Sequence, residues 1–218
     1  IPWQALTLGE PLGQGASGVI HRAALRSDEG TQAVAVKLFK GAMTSDGLPR
    51  CEMAVSLAAG RHPNLIGVAG RVSGHPSGMP ALVMTLIDPG FVNLAGPPSL
   101  DSCTRDVYPA DLTFTPAALL AMAQGVASAA LHLHGRGILH GDLYAHNLLH
   151  SVQEQGRVLL GDFGAASCYD GADRERAARL ERLEVRAFGC LLEELLARCH
   201  PRDEALGALH SLAEACLL

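Results

Sequence analysis

The sequence predicts an α+β chain in two parts: a small five-stranded part with one main helix over about residues 1–88, and a mostly helical part over about 89–218. Three observations predict it. Strand-like runs crowd the first part, at 3–8, 19–25, 33–40, 67–72 and 81–87. Apolar helical patterns crowd the second, at 115–134 and towards the C-terminus. Between them DPGFVNLAGPPSL (88–100) is rich in Gly and Pro and reads as a linker. With 218 residues and 48% hydrophobic content, the chain can bury one sizeable core, or two small lobes sharing a cleft.

Charged residues make up 18% and the net charge is −5, which argues against nucleic acid as the principal partner. No apolar run is read as reaching the ~18–20 residues that span a bilayer, and no basic-plus-apolar leader is seen, so no membrane segment is expected within these residues. The chain begins at Ile1 and is expected to be a segment of a longer one. Six scattered cysteines without a CxxC pair suggest reduced, mostly packed thiols in a cytoplasmic setting. Lys37 and Lys40 are the only lysines among 17 basic residues. Arg cannot replace a compact ammonium at a tight site, so a rare Lys is informative.

In chain order, Gly13, Gly15 and Gly18 form GxGxxG between two strand-like runs. A dinucleotide fold would open a helix after these glycines, whereas VIHRAAL continues as a strand, which suits a phosphate lid. The third strand, AVAVKLFK, alternates, placing Lys37 on the face of Ala35 with Val34 and Val36 opposite. TSDGLPRCEMAVSLAAG then reads as a helix, with Ser45 or Asp46 as cap, Pro49 in the first turn and Gly60 at its end. Glu52, the one acid between Asp46 and the helix end, is the natural partner for Lys37.

In the second part, TPAALLAMAQGVASAALHLH is a long helix capped by Thr115 with Pro116 at its first position. It leads to Ile138–Gly164, where two polar breaks carry Asp142, Asn147 five positions later, and Asp162 a further fifteen on. Leu148–Leu149 and Val158–Leu160 read as strands joined by SVQEQG. That hairpin would converge two carboxylates and an amide, the hard ligands and proton acceptor that Mg²⁺-assisted phosphoryl transfer needs. The histidines at 132, 134, 140, 146 and 150 lack the facing and the partners of a zinc set. His140 is read as a packed histidine supporting Asp142.

HGDLYAHN followed by DFG resembles the catalytic loop and metal motif of the eukaryotic-type protein kinases, of the Ser/Thr or tyrosine-kinase-like branch. The GxGxxG, VAVK, HPNL (62–65) and AFG (187–189) runs resemble other motifs of that family. The resemblance implies one bilobal protein-kinase-like domain over 1–218: an N-lobe at about 1–88, then hinge and C-lobe at 89–218, ending before the family's last helix. It implies ATP and Mg²⁺, a protein substrate, and transfer of the γ-phosphoryl group to a hydroxyl, most simply Ser or Thr.

By the same resemblance, Lys37 held by Glu52 contacts the phosphates, and Asp142 orients and deprotonates the hydroxyl. Asn147 and Asp162 bind Mg²⁺. Gly13, Gly15 and Gly18 cover the phosphates; Leu12, Ile20, Ala35 and Leu149 sandwich adenine. Met84 is the gatekeeper, followed by a hinge at Thr85, Leu86 and Ile87.

Several positions depart from the family. Ser56 replaces an apolar residue four after Glu52, which questions how tightly that helix docks. Gly141 replaces the Arg before Asp142 that pairs with a phosphorylated activation segment, so activity is expected to be independent of Ser167 and Tyr169 phosphorylation. Tyr144 replaces a Lys, Glu184 replaces an Asp, and no APE motif follows a short activation segment. Two other readings stay open: a small-molecule kinase of the aminoglycoside or choline type, which shares HGDLxxxN, and a nucleotide-binding pseudokinase scaffold.

Overall fold

The computed structural model describes residues 1–15, 17–41, 48–103, 105–200 and 206–218. The chain divides into two compact units, the first comprising 1–62, 66–88 and 163–167, the second 63–65, 89–162 and 168–218.

The first unit is built on a five-stranded antiparallel sheet of order β1-β2-β3-β5-β4. Its strands are β1 (Leu6–Gln14), β2 (Gly18–Ser27), β3 (Gly30–Phe39), β4 (Val68–Arg71) and β5 (Ala81–Thr85). The first strand starts later than the sequence suggests, after a 3-10 turn at Trp3–Ala5, and runs into the glycine segment. The ladder continues there because Gly13 and Gln14 pair with Ile20 and Val19. Its register shifts fall on either side of Pro11, which has no N–H to give.

Alternation along β3 decides what each sheet face does. Val34 and Val36 join Leu6, Ala23, Val72, Ala81 and Val83 in one buried cluster. The opposite face carries Ala35, Lys37 and Phe39, and Phe39 packs with Leu82 and with Met53 of α1 (Pro49–Ala59). This places Lys37 on the helix side, as its spacing predicts. Pro49 opens α1 after Leu48, and Gly60 ends it at φ +69, a conformation open to glycine. The expected caps Ser45 and Asp46 lie outside the described residues.

The second unit holds a three-stranded sheet of order β6-β8-β9, made by β6 (Phe91–Asn93), β8 (Leu148–Ser151) and β9 (Val158–Leu160); the short β7 (Ile138–Leu139) precedes β8 in the chain and lies outside this sheet. The stretch read as a plain linker therefore contains a strand, because Phe91–Asn93 finds the edge of β8, with Asn93 opposite Leu149.

Helix α2 (Pro116–His134) is capped by Thr115, whose hydroxyl oxygen accepts from the Ala118 N–H at 3.2 Å. Contrary to the sequence expectation, this helix is long and apolar enough to cross a membrane by length and composition. The interrupting residues Gln124, Ser128 and His132 break the apolar run, but none is an Asp, Glu, Lys or Arg and the Leu, Ala, Met and Val around them keep the mean hydropathy high. Leu119, Met122, Val126, Ala129 and Leu133 are nevertheless buried, as befits a core helix. Gly125 also lies so near that a Cβ there would stand 2.7 Å from Asn64 Nδ2.

Helix α3 (Arg174–Leu196) is capped by Asp173, whose carboxylate accepts from the Arg176 N–H at 3.1 Å. It buries Leu191, Leu192, Leu195 and Leu196, and α4 (Gly207–Leu217) packs on it, with Cys216 against Gly189. The thiols are less packed than expected. All six are free, but only Cys199 is buried, while Cys51, Cys103 and Cys168 are exposed.

Candidate phosphotransfer site

In the first unit the predicted partners meet: Lys37 Nζ and Glu52 Oε1 form a hydrogen-bonded ion pair. Both residues are buried, at 8% and 5% exposure. Two charges withdrawn from water need each other, and removing either strands the other at a cost of about 3–5 kcal/mol. The Lys37 ammonium also lies 5.1 Å from the Phe39 ring centroid. Ser56, the departure in α1, is buried and satisfied: its hydroxyl donates to the Glu52 carbonyl at 2.7 Å. Apolar docking of the helix is supplied by Met53 instead.

The three motif glycines have different reasons. A Cβ on Gly18 would stand 2.3 Å from the Leu38 carbonyl oxygen, so the sheet itself demands glycine there. A Cβ on Gly13 or Gly15 would meet nothing within 4 Å. Packing within the chain therefore does not require glycine at those two positions, which leaves room over the backbone for a ligand's phosphates. Ile20 lies directly across from Lys37, and Ala35 across from Met84, which packs beside the Phe39–Met53–Leu82 cluster. Leu12 is half exposed. Thr85 closes β5, and its N–H is committed to the Gly67 carbonyl at 2.8 Å.

In the second unit Asp142 and Asn147 are joined directly, and the chain leading into Asp162 is tied to them through backbone. Asn147 Nδ2 donates to Asp142 Oδ2 at 2.7 Å and to the Asp142 carbonyl at 2.9 Å. The Gly161 N–H donates to the Asn147 carbonyl at 3.0 Å, which fastens the residue before Asp162 to the same loop. Leu148 pairs with Leu160, and Leu149 with Leu159, so the hairpin closes as predicted. Asp162 sits at φ +55, an uncommon backbone for a residue with a Cβ. His140 is fully buried and its Nε2–H donates to the Gly161 carbonyl at 2.8 Å. Its support thus reaches the residue before Asp162.

Glu184 of α3 holds the start of this loop. Its Oε1 accepts from the Gly141 N–H at 3.0 Å and its Oε2 pairs with His134 Nε2 at 2.5 Å. Burial pushes this carboxyl up, but the His134 and Gly141 hydrogen bonds, with the charges of His140 and His134, outweigh it and hold it below its ordinary value. Gly141 adopts φ +78, where a larger residue is strained.

One family model matches residues 6–198: protein tyrosine and serine/threonine kinase. The chain belongs to that family. CBL-interacting protein kinase 22 of Oryza sativa subsp. japonica is 34% identical over 187 residues, covering 78% of this chain and 38% of that protein. Serine/threonine-protein kinase PkaA of Streptomyces coelicolor is 31% identical over 179 residues, 75% of this chain and 30% of the relative. Serine/threonine-protein kinase PITSLRE of Drosophila melanogaster is 28% identical over 181 residues, 82% and 18% respectively. The chain thus spans less than two-fifths of the length of these kinases.

As a kinase domain the chain has an abbreviated activation segment. Helix α3 begins at Arg174, so only nine residues, Ala165–Asp173, separate Gly164 from it (173 − 164 = 9). Tyr169 is fixed within them: its N–H donates to the Gly137 carbonyl at 2.8 Å and its hydroxyl to Glu181 Oε1 at 2.5 Å. Burial, the Glu181 hydrogen bond and the nearby carboxylates push the phenol well above its ordinary value.

Asp106 is a residue that sequence reasoning missed. Its carboxylate accepts from the Ala145 N–H at 2.9 Å, the His146 N–H at 3.2 Å and His146 Nδ1 at 2.6 Å. His146 Nε2 then stands 3.6 Å from Asp142 Oδ2. Beside them, Arg105 lies 4.1 Å over the ring of Tyr144, the residue in the usual Lys position. Pro97, Pro98, Arg105, Tyr144 and His146 line a hollow of about 600 Å³ that Asp142 faces. No periodicity or motif marks Asp106; only the fold brings it to the catalytic loop.

Proposed function

We propose that this domain is a protein kinase that transfers the γ-phosphoryl group of ATP to a protein hydroxyl, most simply of Ser or Thr. The observation that carries the reading is the Asn147 amide. Its Nδ2 is committed to Asp142, which leaves the amide oxygen as the atom that a cation would take. That oxygen and the Asp162 carboxylate are hard donors of the kind Mg²⁺ takes alongside substrate phosphates, so the residues fit the metal. Bound there, Mg²⁺ would neutralise phosphate charge in the transition state.

The chain's own residues do the rest. Asp142, held by Asn147, orients the acceptor hydroxyl and receives its proton. Lys37, held by Glu52, offers its ammonium to the nucleotide phosphates. Gly13 and Gly15 leave the backbone open to those phosphates. With the Thr85 N–H engaged by Gly67, the adenine-reading N–H comes from Leu86 or Ile87. Within the first unit, Ile20 and Ala35 supply apolar surface for the adenine ring. Names of the similar kinases support Ser or Thr as acceptor.

The test is Mg²⁺-dependent transfer from labelled ATP to casein or to the domain itself, with Asp142→Asn in parallel. Transfer that falls about 10²–10⁴-fold in the variant supports the reading. No transfer, with ATP still raising the melting temperature, overturns it in favour of a nucleotide-binding scaffold. Transfer to small alcohols but not to protein overturns it in favour of a small-molecule kinase.

A further inference from the structure

Asp106 is buried at 6% exposure, yet among the described residues its three hydrogen bonds go to two consecutive residues of the loop that carries Asp142. Burying a carboxylate is a poor source of stability, since desolvation offsets most of what the contacts return. It is a good source of geometry. Ala145–Asn147 is a single 3-10 turn, and the first N–H groups of such a turn have no partner within it. Asp106 takes them, and by accepting from Nδ1 it also sets the plane of the His146 ring.

The result reaches the reacting carboxylate. Asp142 Oδ2 is bracketed by Asn147 Nδ2 at 2.7 Å and by the Nε2 edge of His146 at 3.6 Å. Asp106 is itself held firmly. Its neighbour Val107 exchanges two backbone hydrogen bonds with Gly96, at 2.8 and 2.9 Å. On either side of it, Arg105 pairs with Glu194 of α3 at 3.3 Å, and the Tyr108 hydroxyl donates to the same carboxylate at 2.8 Å. Segment 105–108 is thus a strut between α3 and the catalytic loop.

Resting on the protein-kinase reading above, we propose that Asp106 is a positioning residue for Asp142, acting through the Ala145–His146 backbone and the His146 ring. It touches neither substrate nor nucleotide. Its effect falls on the rate of transfer and not on nucleotide binding, because a displacement near 1 Å at the reacting groups costs on the order of 10²-fold.

The experiment compares steady-state transfer to casein and ATP affinity for the wild type, Asp106→Asn, His146→Phe and His146→Asn. The carboxamide of Asp106→Asn has one acceptor oxygen in place of two. It is expected to lower kcat about 10–100-fold with the ATP KM and Kd changed less than about twofold. His146→Phe removes one of the three contacts and keeps both backbone bonds, so it tests the idea even if Asp106→Asn fails to fold. It is expected to lower kcat at unchanged ATP Kd, and His146→Asn, whose amide can still donate to Asp106, to recover most of the loss. Wild-type kcat in His146→Phe, no recovery in His146→Asn, or ATP affinity falling in step with kcat would each overturn the proposal. A wild type that transfers nothing would instead overturn the kinase reading, and this proposal with it.

Discussion

Glu184 and Gly141 lie 43 residues apart in sequence and are joined by one hydrogen bond, from the Gly141 N–H to Glu184 Oε1 at 3.0 Å. That bond ties the residue before Asp142 to a long helix, and the His134 contact on the other oxygen ties in α2 as well. The first prediction concerns this junction. Glu184→Ala leaves the Gly141 N–H and the His134 imidazole without this acceptor, and should destabilise the domain by about 1–3 kcal/mol. Chemical denaturation at pH 7 reads this directly.

Glu184 also has a defined pH signature. Its folded value is depressed below the ordinary 4.5, so its contribution is fully present above that pH. It is lost as pH falls through the lower folded value. The melting-temperature gap between wild type and Glu184→Gln should therefore be widest near neutrality and close in acid. A gap that stays constant down to pH 3 would show that Glu184 does not act through its charge.

The buried pair Lys37–Glu52 predicts non-additivity. Lys37→Met and Glu52→Gln should each cost stability, Lys37→Met more, about 3–5 kcal/mol, because it strands a buried carboxylate. The double variant should be less destabilised than the sum, since neither charge is then left alone. In activity, Lys37→Met should lower kcat about 10²-fold or more, with no recovery in the double variant.

The motif glycines should separate by function. Gly18→Ala places a methyl carbon against the Leu38 carbonyl, and should destabilise the fold by about 1–3 kcal/mol. Gly15→Ala meets nothing in the chain and should leave the melting temperature unchanged, while raising the KM for ATP several-fold. Equal melting losses in both variants would contradict the distinction.

Phosphorylation of the segment after DFG should not be needed. Ser167→Ala and Tyr169→Phe are expected to keep kcat within about threefold, with Tyr169→Phe losing roughly 1 kcal/mol of stability from its bond to Glu181. A phosphate on Tyr169 would set like charge against Glu181 and loosen the segment. Loss of transfer in Ser167→Ala, or on phosphatase treatment, would contradict this.

What was legible in the sequence was what short-range pattern dictates. Strand alternation placed Lys37 on the helix side, and Glu52 was the one acid on the facing helix. The five- and fifteen-residue spacings around a hairpin placed Asp142, Asn147 and Asp162 in one local unit. What escaped depends on contacts remote in sequence or on weak thresholds. Asp106 reaches Ala145 across 39 residues that include the whole of α2. Phe91–Asn93 is a strand only because β8 offers an edge. The apolar length of α2 was masked by uncharged polar residues, and the first six residues of α3 include four charged ones, Arg174, Glu175, Arg176 and Arg179, which obscure its start. His140 was placed correctly as packed, while its hydrogen bond to Gly161 was not foreseen.

The early start of α3 has a consequence for control. A switch that works by ordering and releasing a loop draws its free energy from the residues that change state, at roughly 1–2 kcal/mol for each backbone unit. Nine residues, with Tyr169 already pinned at both its N–H and its hydroxyl, leave a small reservoir. An order–disorder switch confined to these residues would therefore have little free energy to draw on.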